Sequence, residues 1–109
     1  MFPYQKLEVY KKAFLLNKSV YTLIKGNSSI PTYVKNQLGR ASLSIVLNIA
    51  EGSAKLTNRD RKSFFVIARG STFECAAIID ILQSENEVSL TLEMNWILVL
   101  MKFPECSMP

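Results

Sequence analysis

Between Val34 and Glu51 the chain reads VKNQLGRASLSIVLNIAE, and its apolar residues cover two faces of a helix rather than one. Val34, Leu38, Ala41, Ile45 and Ile49 form the first face, at spacings of four, three, four and four. Leu43, Val46, Leu47 and Ala50 form the second, leaving a narrow polar stripe of Gln37, Arg40, Ser44, Asn48 and Glu51. A helix apolar on two faces is either central in a large core or shared with another subunit. A chain of 109 residues lacks the material for the first option. Self-association is therefore expected.

The same period runs through the rest of the chain, and no glycine-rich linker or repeat divides it, so residues 1–109 are read as a single domain. Leu7, Tyr10, Phe14, Val20, Tyr21 and Ile24 mark a first helix that Gly26 ends. Pro31 suits the first turn of the second helix, which runs to about Glu51 and is closed by Gly52. Asn58 is the expected N-cap of a third, reaching about Gln83. Ser84 with Glu87, or Ser89, would open a fourth that Pro104 stops. Val88, Leu90, Leu92, Met94 and Trp96 alternate with a strand period, but a lone strand among helices has nothing to pair with, so a short apolar helix is expected instead. With the second turn centred near residue 55, antiparallel pairing would set Gly39 against Gly70 in a close backbone approach. It would also bring Arg40 and Arg69 to one level.

Charge is unevenly distributed. Residues 1–69 hold twelve of the thirteen cations and only Glu8, Glu51 and Asp60, a net of +9; residues 70–109 hold Lys102 against six carboxylates, a net of −5. Two readings fit: a basic surface that attracts nucleic acid, or pairing of basic and acidic faces between subunits. There is no histidine, which removes the commonest general base and the commonest metal ligand. Cys75 and Cys106 lack CxxC spacing, so no metal site, redox pair or cofactor is indicated. Charges interrupt the start before any signal-peptide core forms, and the longest apolar run, Trp96 to Met101, is far below the roughly 20 residues of a membrane span. A cytoplasmic setting follows as the expectation.

The stretch AKLTNRDRK, with Lys55, Arg59, Arg61 and Lys62 opposed only by Asp60, is the candidate functional turn. It lacks the GxxxxGK[ST] spacing that wraps phosphates, and it follows a helix where a P-loop follows a strand. Ser53 and Ser63 have no histidine to activate them. No catalytic residue is assigned and no enzyme is expected. The turn is either a solvated corner or part of a phosphate-binding surface.

Three stretches, LEVYKKAF, NQLGRASLSIVLNIAEGSAK and RKSFFVIARGSTFECAAIIDIL, resemble the four-helix bundle proteins encoded by intervening sequences of bacterial 23S rRNA genes, relatives of the accessory variability proteins of diversity-generating retroelements. The likeness covers about residues 4–83. It implies an all-α, up-down-up-down four-helix bundle that assembles as a cyclic homopentamer, binds RNA or DNA through a basic surface, and has no enzymatic activity. It further implies a reverse transcriptase as a possible partner. Arg40, Asn48, Glu51, Gly52, Arg69 and Gly70 match the family pattern; the pattern leaves open whether they serve binding or assembly. The terminal PECSMP departs from it.

In a ring, Lys55, Arg59, Arg61 and Lys62 would recur once per subunit, with Lys11, Lys12, Arg40 and Arg69 as further candidate contacts. Such binding would be salt-sensitive and largely independent of sequence.

Overall fold

In the computed structural model, which describes residues 3–85, every regular element is helical. A 3₁₀ turn at Pro3–Lys6 leads into α1 (Glu8–Gly26), followed by α2 (Thr32–Ser53) and α3 (Asn58–Ser84). No strand occurs among the described residues, and none of their helices is long and apolar enough to cross a membrane. The fourth helix expected over residues 88–103 lies outside them.

Local chemistry sets the ends. Glu8 in the first turn of α1 and Lys25 in the last complement the helix dipole. Past Gly26, the Asn27 side chain accepts from the Ser29 amide at 3.1 Å and from its hydroxyl at 2.6 Å, and Ile30 turns inward to close the corner. Pro31, with φ −57°, stands at the N-cap position of α2, one residue before the helix begins.

Two expected ends are corrected. Gly52 does not stop α2: it is buried inside the last turn, and the helix ends at Ser53, with the Ala54 amide donating back to Glu51 O at 3.2 Å and the Lys55 amide to Gly52 O at 3.1 Å. A Cβ at position 52 would stand 3.0 Å from Phe64 Cβ and 3.1 Å from the Phe65 ring, so close approach to α3, not chain reversal, asks for glycine there. Asn58 is not the N-cap of α3 but its first residue. Thr57 caps the helix, its hydroxyl accepting from the Asp60 amide at 3.2 Å.

α2 is the middle helix. Its backbone approaches both α1 and α3, whereas α1 and α3 come nowhere within 8 Å of each other, Cα to Cα. Leu16 and Val20 of α1, Leu38, Ile45 and Ile49 of α2, and Cys75 and Ile79 of α3 nevertheless share one core. The first apolar face of α2 points into it, with Leu38, Ala41, Ile45 and Ile49 buried and Val34 packed at its edge. The second face divides: Val46 is buried, but Leu43 and Leu47 remain 46% and 54% exposed.

Part of the polar stripe of α2 lies along the α2–α3 seam, although Gln37, Arg40 and Glu51 remain exposed. Gln37 Nε2 donates to Glu74 Oε2 at 3.3 Å, and Ser71 Oγ donates to Ser44 Oγ at 2.8 Å. Asn48 Nδ2 donates to the Ser44 carbonyl at 2.8 Å and to its hydroxyl at 3.0 Å. The Gln37–Glu74 pair centres the hairpin at about residue 55 and the Ser44–Ser71 pair about two residues later, but the expected glycine pairing is overturned. Gly39 faces α1, where a Cβ would meet Ile24 Cδ1 at 3.3 Å, while Gly70 opens to solvent with nothing within 4 Å of its Cβ position. Arg40 and Arg69 are offset along the axis by about 3 Å in the register of the Gln37–Glu74 bond and by about 9 Å in that of Ser44–Ser71, at 1.5 Å per residue.

Candidate nucleic-acid interface

On the other side, α1 is tied to α2 by Ser42 Oγ donating to Asn17 Oδ1 at 2.9 Å, and by Ile24 against Gly39. This antiparallel register brings the start of α1 to the end of α2, and the 3₁₀ turn packs against α2 as well. The α2–α3 loop and the N-terminus of α1 thus occupy one end of the molecule. Seven cations collect there: Lys6, Lys11, Lys12, Lys55, Arg59, Arg61 and Lys62, with Glu8, Glu51 and Asp60 among them. Lys6 was not singled out by sequence; only the fold of the 3₁₀ turn brings it to this end.

The candidates are not equivalent. Arg61 braces the loop: its Nε donates to the Lys55 carbonyl at 2.8 Å and the residue is half-buried. Lys55 is similarly engaged, with Nζ 3.6 Å from Glu51 and 5.0 Å from the centre of the Phe64 ring, a cation–π contact. Lys11 pairs with Glu8 at 3.5 Å. Both ion pairs join exposed partners one turn apart on a helix, so they cost little to open toward a competing anion. Arg59 and Lys62 are exposed on the first turns of α3. The geometry therefore divides the turn into two cations that shape it, Lys55 and Arg61, and two that project from it, Arg59 and Lys62.

Arg40 and Arg69 are not brought to this end. Arg40 is exposed in the N-terminal half of α2, and Arg69 is half-buried midway along α3, so neither extends the cluster. Of the motif residues, Asn48 and Glu51 hold internal contacts, with Ser44 and Lys55 respectively. Gly52 serves the α2–α3 approach and Gly39 the α1–α2 approach. Gly70 has no such internal role.

Elsewhere, Cys75 is fully buried and its thiol is pushed up to about 12, by loss of hydration first and by the Glu74 carboxylate second. It is a neutral core residue, inert as a nucleophile at ordinary pH. No group of three or more metal-ligating side chains occurs among the described residues.

No curated protein matches the chain. The family described as 23S rRNA-intervening sequence protein matches residues 5–95, spanning all three helices. On that match the chain belongs to the 23S rRNA-intervening sequence protein family.

Proposed function

We propose that this protein is a non-enzymatic, homo-oligomeric helical bundle that binds nucleic acid, RNA in the first place, through the end formed by the α1 N-terminus and the α2–α3 loop. The observation that carries the reading is the convergence of Lys6, Lys11, Lys12, Arg59 and Lys62 from two separate segments at that end. Long lysine and arginine side chains on a surface of this kind neutralise phosphates and release counterions, which yields affinity without sequence readout. The family's name adds the association with ribosomal RNA sequences. In this reading residues 88–103 supply the fourth helix of an up-down-up-down bundle, since α1 and α3 stand across a diagonal from each other with α2 at the corner between them. Five such bundles in a ring repeat the cation cluster five times, and the avidity of repeated weak contacts exceeds that of any single copy. The protein acts in the cytoplasm, and a reverse transcriptase is among the partners that kinship with accessory variability proteins brings into view.

A second reading is favoured by the exposure of Leu43, Leu47, Phe73 and Ile81: an oligomeric scaffold with no nucleic-acid role. One experiment separates the two. Binding of a short generic RNA is followed by fluorescence anisotropy at several salt concentrations, for the natural chain and for Arg59→Glu/Lys62→Glu. The nucleic-acid reading expects affinity that falls steeply with salt, and a double variant that loses at least tenfold in affinity while keeping its helical circular dichroism. Equal affinity in the double variant, or no uptake of RNA by either protein, moves the conclusion to the scaffold.

A further inference from the structure

Among the exposed apolar surfaces of the described residues, which include an α2–α3 groove bordered by Tyr33, Val34, Ala77 and Ile81, two others differ in shape. On α3, Val66, Phe73 and Ile81 project outward along a line that also contains Gly70 and Ala77, all five exposed. The spacing 66, 70, 73, 77, 81 follows one face of a helix, with the largest side chain, Phe73, at its centre and 56% exposed. Between α1 and α2 lies the other surface, an open groove of about 270 Å³ lined by Asn17, Tyr21, Gly39, Ser42 and Leu43 among others. One surface is a ridge with a knob, and the other is a hole.

Their placement is complementary in direction and height. Phe73 is two residues from Ser71 and one from Glu74, both bonded to α2, so it points between about 100° and 160° away from α2 at 100° per residue. Gly39 is likewise two residues from Gln37, which bonds to α3, so the groove opens on the flank of α2 opposite to α3. Ridge and groove thus face opposite ways. The Gln37–Glu74 hydrogen bond also fixes their levels: Gly39 is about 3 Å along the axis from Gln37, and Phe73 about 1.5 Å from Glu74. Knob and hole therefore stand within one helical turn of the same height.

Charges on the two surfaces are largely opposite. Exposed Lys18 and Lys25 of α1 and Arg40 of α2 flank the groove, while exposed Glu74 lies beside Phe73 and exposed Asp80 two turns beyond it; half-buried Arg69, one turn before Phe73, is the cation on the ridge side. Two different complementary patches on opposite sides form a head-to-tail contact, which closes into a ring when successive copies are related by rotation without a rise along the axis. Equal height is the condition for zero rise.

We propose that the α3 ridge of one copy, centred on Phe73, seats in the α1–α2 groove of the next copy, against Tyr21, Gly39 and Leu43. This rests on the self-association part of the reading above and supplies its interface. Gly70 and Ala77 let the neighbouring helices come close, and the lysines and Arg40 of the groove meet Glu74 and Asp80 of the ridge. The interface is independent of the cation cluster at the loop end.

The test uses the full chain with Phe73→Arg and Leu43→Arg, each measured alone and mixed one to one, by light scattering on a size-exclusion column. The natural chain is expected as a multi-subunit species and each variant as a monomer with undiminished helical circular dichroism. The mixture is expected to double in mass to a dimer and stop, because it retains one intact ridge and one intact groove. Gly70→Gln serves as a second variant, since its added atoms meet nothing in its own chain; it too is expected to lower the mass. A variant that keeps the natural mass, or a mixture that stays monomeric, overturns the proposed interface while self-association stands. A Phe73→Arg chain that melts earlier at unchanged mass overturns it in favour of the chain's own residues 88–103 as the occupant. A monomeric natural chain sinks both the interface and the self-association on which it rests.

Discussion

The hydroxyl of Ser71 donates to that of Ser44 at 2.8 Å, joining α3 to α2 halfway along their seam, and the same Ser44 oxygen accepts from Asn48 Nδ2 at 3.0 Å. Ser44 is thus the shared acceptor of a small network in the α2–α3 contact. Its removal leaves the Ser71 hydroxyl without this partner and Asn48 with only the Ser44 carbonyl.

Ser44→Ala is expected to destabilise the fold by about 1 kcal/mol, the usual net cost of a half-buried hydrogen bond. Ser71→Ala should cost a similar amount. The double variant should be no worse than either single one, because two facing methyl groups leave neither side short of a partner. Urea unfolding of the four proteins gives the cycle directly; additive losses would mean that the two hydroxyls do not interact.

Gly52 and Gly70 should respond oppositely to alanine. At position 52 the new methyl meets Phe64 Cβ at 3.0 Å, an atom fixed by the α3 backbone, and overpacking of this kind costs about 1–3 kcal/mol. At position 70 it meets nothing, so the isolated chain gains the helix propensity of alanine over glycine, about 1 kcal/mol. Thermal melts of Gly52→Ala and Gly70→Ala in a monomeric background, such as Phe73→Arg, are expected to move in opposite directions.

The loop should lose stability on substitution at Thr57 and Arg61 but not at Arg59 or Lys62. Thr57→Ala removes the N-cap acceptor of α3 and is expected to cost about 1 kcal/mol. Arg61→Ala leaves the Lys55 carbonyl without the guanidinium and should also lower the midpoint of denaturation. Arg59→Ala and Lys62→Ala, both on exposed side chains, should shift it by less than about 0.5 kcal/mol. Chemical denaturation of the four single variants checks the division between shaping and projecting cations.

Cys75 predicts an alkaline loss of stability. Its thiol stays protonated in the folded state up to about 12, whereas the unfolded chain releases the proton from about pH 9. Between those values the unfolded state binds fewer protons, so this group's stabilisation is complete below about pH 9 and falls as pH rises, by about 1.4 kcal/mol per unit. The difference in unfolding free energy between the natural chain and Cys75→Ala, each measured at pH 8 and pH 10, isolates this contribution from that of tyrosines and lysines. A difference that does not change with pH would refute it. In Cys106→Ser, a thiol reagent should label Cys75 only after unfolding.

Apolar spacing determined most of what is helical here. Leu38, Ala41, Ile45 and Ile49 repeat on one face whichever partner they meet, so periodicity alone located α2 and its core side. The family resemblance was equally legible, because it rests on ordered local patterns such as QLGRA and NIAEG. Boundaries were less so: Thr57 and Asn58 are both good caps, and only the backbone geometry at the turn selects Thr57. The relation between helices was decided by tertiary packing alone. The hairpin centre depends on where α2 stops, and Gly52 stays inside its helix because Phe64 and Phe65 lie close over it. Packing also turned Gly39 toward Ile24 and Gly70 outward. It also separated the cations that brace the loop from those that leave it. Spacing along a chain records which face a residue shares with its neighbours, but the register between two helices follows from side chains interlocking across the seam.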